Sequence, residues 1–157
     1  MQALFWDGQH LRLDTAYPTP PADEITAVVR VYLAGICATD LQILRGYMGF
    51  QGVPGHECVG EVSAGPAELV GTRVVGEINF ACGRCPVCAQ GLGRHCPSRQ
   101  VMGILNADGC FAEYVRVPVT ISTRSRPVSP TQRPCLPSRW RPPLKSWNRC
   151  ACSRPMT

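Results

Sequence analysis

The chain has 157 residues, 45% of them apolar, 7% aromatic and 17% charged, with a formal net charge of +5. That size and mix suit one small globular domain with an appended segment and exclude a wholly disordered chain. No run approaches about 18 uninterrupted apolar residues, and residues 1–9 carry Asp7 but no Lys or Arg, so neither a membrane-spanning helix nor a secretory signal is expected.

Gln2 to Trp6 and Leu11 to Asp14 read as two short strands around Asp7-Gly8, a hairpin signal. Pro18, Pro20 and Pro21 make a stiff loop. Ile25 to Ile36 is mostly apolar and β-branched, which suits a buried strand. Thr39-Asp40 then precede Leu41, Ile43 and Leu44, an N-cap and one short helix. Gly55 and Gly60 flank a strand through Val62, and Val70 to Ile78 supplies another. Phe111 to Ile121 alternates apolar and polar residues and reads as a last strand. Many short strands with glycine turns predict a mainly β barrel or sandwich.

Charge divides the chain at this point. Residues 1–121 hold 8 Arg and all 11 Asp and Glu; residues 122–157 hold 7 Arg, 1 Lys and no acid. The second stretch also has 7 Pro and 6 Ser, and its sparse apolar residues are cut by Pro134, Pro137, Pro142 and Pro143, so no helix of useful length is expected there. It reads as a disordered or non-native basic tail.

Ten cysteines without a secretory signal read as reduced, cytoplasmic thiols, which more often hold metal than disulfides. Cys82, Cys85, Cys88 and Cys96 lie at C-x2-C-x2-C-x7-C. Four thiolates suit tetrahedral Zn²⁺, and the short spacings let one tight loop wrap the ion. Iron–sulfur proteins also use C-x2-C-x2-C, but with three residues before the last Cys rather than seven. A four-Cys site has no open coordination position, so its role is structural.

Cys37-Ala38-Thr39-Asp40 and Gly55-His56-Glu57 form a second constellation. A catalytic zinc needs about three protein ligands and an open position. Cys37 and His56 could supply two, a carboxylate such as Asp40 could orient the imidazole, and the Thr39 hydroxyl could carry a proton. Taken alone, Cys37 reads equally well as a small core residue after an apolar strand, and a His beside a Glu as a surface or core pair.

The motifs together resemble the catalytic domain of zinc-dependent medium-chain alcohol dehydrogenases. Gly35-Ile36-Cys37-Ala38-Thr39-Asp40-Leu41 is similar to that family's first ligand segment, and Gly55-His56-Glu57-x-x-Gly60 to its second. The four cysteines match its structural-zinc lobe, and Gly109-Cys110-Phe111-Ala112-Glu113-Tyr114 resembles the element that follows the lobe. The resemblance covers residues 1–121. It implies a GroES-like, partly open β-barrel with a four-Cys zinc lobe. It also implies Cys37 and His56 as catalytic-zinc ligands, Glu57 as a ligand or close base exchanging with water, Thr39 on the substrate hydroxyl, and Asp40 orienting His56. The substrate class implied is a small alcohol or polyol, with NAD(P) taking the hydride. Thr39 and Leu41 resemble the polyol and threonine dehydrogenase branches.

The family reads its dinucleotide with a Rossmann domain, and no G-x-G-x-x-G occurs in residues 97–157. The expectation is therefore a truncated member with the Rossmann domain absent, inactive as this chain alone. The abrupt change after Ile121 is expected to reflect a frameshift. One choice of synonymous codons lets Trp140–Arg149 read, in a shifted frame, as Glu-Ala-Ala-Ala-Glu-Ile-Leu-Glu-Gln, a strong helix former. The competing reading is a non-enzymatic zinc module whose tail, with Arg beside Trp140 and Trp147, binds nucleic acid or another acidic partner. A disulfide-rich secreted protein is opposed by the tight metal spacing.

Overall fold

The computed structural model describes residues 1–119 and the backbone of a strand at Ser122–Arg124. Apart from that strand, the segment expected to be a basic tail lies outside the described residues, with Cys135, Cys150 and Cys152.

The fold is mainly β, as the many short apolar runs predict. Strands β1 (Ala3–Trp6) and β2 (Leu11–Asp14) pair as a hairpin, its turn held by Asp7 Oδ1, which accepts from the amides of Gln9 and His10. A five-stranded antiparallel sheet follows, built from β3 (Thr26–Gly35), β4 (Glu57–Ala64), β5 (Arg73–Gly76), β9 (Tyr114–Pro118) and β10 (Ser122–Arg124). Its order is β10-β5-β4-β3-β9, so among the described residues β9 and β10 are its outer strands. A third, three-stranded sheet joins β6 (Asn79–Phe80), β7 (Gln100–Met102) and β8 (Asn106–Ala107), pieces too short to show in a sequence pattern.

Period-2 alternation decides which side chains enter the core. Val115 and Val117 of β9 are buried while Arg116 between them is exposed. They meet Ala27 and Val29 of β3, Cys58 and Val62 of β4, Val74 of β5, and Phe80, Met102 and Cys110 from the third sheet and the segment after it. Cys58 and Cys110 are therefore buried free thiols of the core, in contact with each other. A smaller cluster of Trp6, Ile43 and Phe50 fastens helix α1 (Ala38–Ile43) to the hairpin.

The helix cap differs from the expected Thr39-Asp40. The N-cap is Cys37, and Asp40, at the third helical position, reaches back so that its Oδ2 accepts from the Cys37 amide at 2.8 Å. The short polar side chain that looked like the cap thus works from inside the first turn.

Between α1 and β4 the chain runs close beneath residues 103–111. The amides of Gly109, Cys110 and Phe111 donate to the carbonyls of Val53, Gly55 and Pro54, and the Val53 amide donates to Asp108 Oδ1 at 2.9 Å. A Cβ on Gly109 would lie 2.0 Å from Gly55 O and 2.5 Å from Pro54 O, backbone atoms that cannot rotate away. Gly71, by contrast, has a left-handed φ of +78° and open space around it. Gly109→Ala is expected to cost at least about 3 kcal/mol of folding stability, and Gly71→Ala only about 1–2 kcal/mol from backbone strain. Urea unfolding of the two variants side by side checks the ranking.

Candidate metal centres

Two groups of metal-binding side chains stand apart in the fold. The first is the loop between β6 and β7. Helix α2 (Pro86–Ala89) starts at Cys85, whose Sγ accepts from the Cys88 amide at 3.4 Å. Pro86 at the first helical position needs no amide partner. The four sulfurs of Cys82, Cys85, Cys88 and Cys96 lie within 4.8 Å of one another, with Cys82–Cys88 at 3.9 Å and Cys85–Cys96 at 3.8 Å. A tetrahedron with Zn–S bonds of about 2.3 Å has S···S edges of about 3.8 Å, so the cage fits that ion. The thiols do not ionise equally on their own. The amides of Arg84 and Cys85 hold Cys82 down at about 6, while loss of solvation and then its sulfur neighbours push Cys88 up to about 12. A cation is what allows all four to be thiolates together.

The second group joins the end of β3 to the start of β4. Strand β3 delivers Cys37 at the cap of α1, and the pinned segment 53–55 delivers His56 and Glu57. One donor atom from each of Cys37, His56 and Glu57 lies within 4.8 Å of the others. Among the described residues these two groups are the only clusters with metal-ligand geometry.

Asp40 and His56 are the buried polar pair of this region, 3% and 7% exposed. His56 Nδ1 faces Asp40 Oδ1 at 3.2 Å, yet neither atom completes a well-aligned hydrogen bond. Burial alone would lower the His56 pKa, but the Asp40 carboxylate and the Cys37 thiol outweigh it and raise the group to about 9. The Cys37 thiol is held below its ordinary value, chiefly by the Thr39 amide and against the cost of burial, with His56 helping. Thr39 Oγ1 lies 3.7 Å from Cys37 Sγ. The structure thus brings Cys37, Thr39, Asp40, His56 and Glu57 to one place, and Cys82, Cys85, Cys88 and Cys96 to another.

Sequence reasoning missed the supports. Nothing in the sequence reading singles out Asp108, whose two carboxylate oxygens accept from the Val53 amide and from the Tyr17 hydroxyl at 2.7 Å. Gly103 and Gly109 crowd the Gly55 backbone. A cavity of about 560 Å³ lies away from both groups, lined by residues such as Tyr17, Pro20, Asp108 and Tyr114. No cysteine or histidine lines it, so it takes no part in metal ligation.

Residues 23–125 match the model of the alcohol dehydrogenase GroES-like domain. The chain is 37% identical over 133 residues to the medium chain reductase/dehydrogenase ucsI of an Acremonium species, covering 78% of this chain and 45% of that protein. It is 30% identical over 125 residues to a sorbitol dehydrogenase of Bacillus subtilis, covering 73% and 35%. A crystal structure of the alcohol dehydrogenase RspB from Escherichia coli, complexed with NADH, superposes with a TM-score of 0.71 at 29% identity, covering 81% of this chain and 39% of that one. The chain thus spans less than half the length of these relatives. Among the described residues no helix is long and apolar enough to cross a membrane.

The raised His56 pKa has a consequence for metal-free protein. Because the folded value lies above the ordinary 6.5, the stabilisation is complete below about pH 6.5 and is lost as pH rises through about 9. Metal-free protein is expected to lose roughly 1–3 kcal/mol across that window. Asp40→Asn, which keeps an acceptor for the Cys37 amide, should flatten the slope in denaturant titrations run from pH 6 to about 9.5.

Proposed function

The chain belongs to the alcohol dehydrogenase GroES-like domain family, and from that premise we propose that it carries the zinc-binding catalytic portion of an NAD(P)-dependent alcohol or polyol dehydrogenase. The observation that carries this reading is the meeting of Cys37, His56 and Glu57 within 4.8 Å, with Asp40 behind His56. Those three residues would hold one zinc ion. Cys82, Cys85, Cys88 and Cys96 would hold a second, closed to substrate by its four protein ligands.

The first ion, when bound, supplies a Lewis acid that lowers the pKa of the alcohol oxygen. Asp40 Oδ1 stands 3.2 Å from His56 Nδ1, where a small turn of the ring would let it accept that proton and fix the tautomer whose other nitrogen can ligate. Its second oxygen holds the Cys37 amide, so one carboxylate sets both ligand segments. Glu57, half-buried beside them, fits a ligand that exchanges with water or acts as a base. The Thr39 hydroxyl stands next to the Cys37 sulfur, where it can accept the alcohol's proton and pass it outward. A nicotinamide, such as the NADH held by the E. coli relative, would be the acceptor for the hydride of the alcohol carbon. The sorbitol dehydrogenase among the relatives favours polyols or simple alcohols as substrates.

The four-thiolate site is local and should load tightly. The three-ligand site, with only His56 buried, should load weakly. Elemental analysis of the full chain is expected to find one tightly held zinc, lost in Cys88→Ser, and a second that appears only with added zinc and is lost in His56→Ala. Zinc content indifferent to Cys88→Ser would sink the assignment. No G-x-G-x-x-G occurs in the 157 residues, so these residues alone, given alcohol and NAD or NADP, are expected to yield no NADH or NADPH. Steady production by purified protein would refute that part.

A further inference from the structure

The four-thiolate loop takes three ligands, Cys82, Cys85 and Cys88, from one tight stretch. The fourth, Cys96, comes from a separate turn at Gly93–His95. Local spacing therefore does not place Cys96; something must hold its turn against the rest. Arg99 is attached to that turn twice. Its backbone amide donates to Cys96 O at 3.1 Å, and its Nη1 donates to Arg94 O, two residues before the ligand. The side chain thus closes a loop around Cys96, which is itself buried.

Charge points the same way. From Ile78 to Ala107 the sequence has no Asp or Glu but carries Arg84, Arg94 and Arg99. Arg94 is exposed and reaches out to Glu77 at 3.7 Å, and Arg84 is exposed. Arg99 is the cation folded into the loop, and its Nε is buried with no hydrogen-bond partner among the described residues. Four thiolates around Zn²⁺ leave two surplus negative charges in a partly desolvated loop. A guanidinium folded against the loop is suited to offset them, because it stays charged and donates from several nitrogens at once.

We propose that Arg99 is a positioning residue of the four-thiolate site: it clips the Arg94–Cys96 turn so that Cys96 Sγ stands at the fourth corner, and its guanidinium offsets the charge of the loaded thiolates. This rests on the zinc reading of the four cysteines given above. Groups that orient metal ligands from behind commonly change metal affinity by about 10–100-fold when removed.

The test uses the full 157-residue chain, loaded with zinc for release measurements and with cobalt(II) for spectra. Zinc transfer to a chromogenic chelator is expected to be about 10–100-fold faster for Arg99→Ala than for the unmodified chain. The cobalt form of that variant should lose part of its thiolate-to-metal charge-transfer band, because Cys96 no longer holds its corner. Arg99→Lys, which keeps a charge and a donor, should recover most of the band and release zinc at an intermediate rate. Arg45→Gln removes an exposed charge outside this loop and should change neither readout. If Arg99→Ala does not fold, Arg99→Gln takes its place with the same expectations. Release and spectra matching the unmodified chain would overturn the role of Arg99 alone, as would an equal effect of Arg45→Gln. An unmodified chain whose four thiols take up no zinc would overturn the zinc reading itself.

Discussion

A Cβ on Gly103 or Gly109 would lie within 2.3 Å of Gly55 O, so the segment before His56 can sit where it does only because both neighbours are glycine. That close approach lets the amides of residues 109–111 bond to the carbonyls of residues 53–55. It also joins the region after the four-cysteine loop to the barrel. Moving the Gly55 backbone outward by even a methyl group would break those hydrogen bonds. It would also shift His56 relative to Cys37, which α1 holds independently through the Trp6–Ile43–Phe50 cluster. The geometry of the second cluster is thus set by contacts between four separate stretches of chain.

On that frame the polar groups are arranged by burial. Asp40 and His56 are deep enough that each must answer the other's charge, and Asp40 uses its second oxygen on the Cys37 amide. One carboxylate therefore ties the two ligand-bearing segments together, through a cap on one side and an ion pair on the other. The four-cysteine loop solves a different problem. Its sulfurs crowd together before any cation is considered, and the amides of Arg84 and Cys85 favour only the first ionisation. A cation that draws the four sulfurs into thiolates would therefore stabilise the loop as it binds.

Much of this was legible in the residues. The β-rich class followed from short apolar runs, and β2 and β3 fell within a residue of their expected positions. The four-cysteine cluster was legible because three of its ligands share one tight stretch and the fourth follows soon after; the contacts that hold the Cys96 turn were not. The cap of α1 was misplaced by two or three residues, since Asp40 can cap from inside the helix as well as from its start. Strands β6, β7 and β8 were not legible. At two or three residues each they carry no periodicity, and only their pairing with one another defines them.

Taken by itself, the sequence determined what kind of chemistry is available: thiols at metal spacing, one His beside a Glu, a Thr and an Asp just after a Cys. It determined the core as well, because alternation along β9 is a property of neighbouring residues. The tertiary structure alone decided that Cys37 and His56, nineteen positions apart, meet over a shared carboxylate. It alone showed that Asp108, Gly103 and Gly109 hold the segment that makes them meet. The reason is physical. Local spacing constrains groups that share one turn, whereas contacts between distant strands depend on register, close backbone approach and burial, and these exist only once the whole sheet has formed.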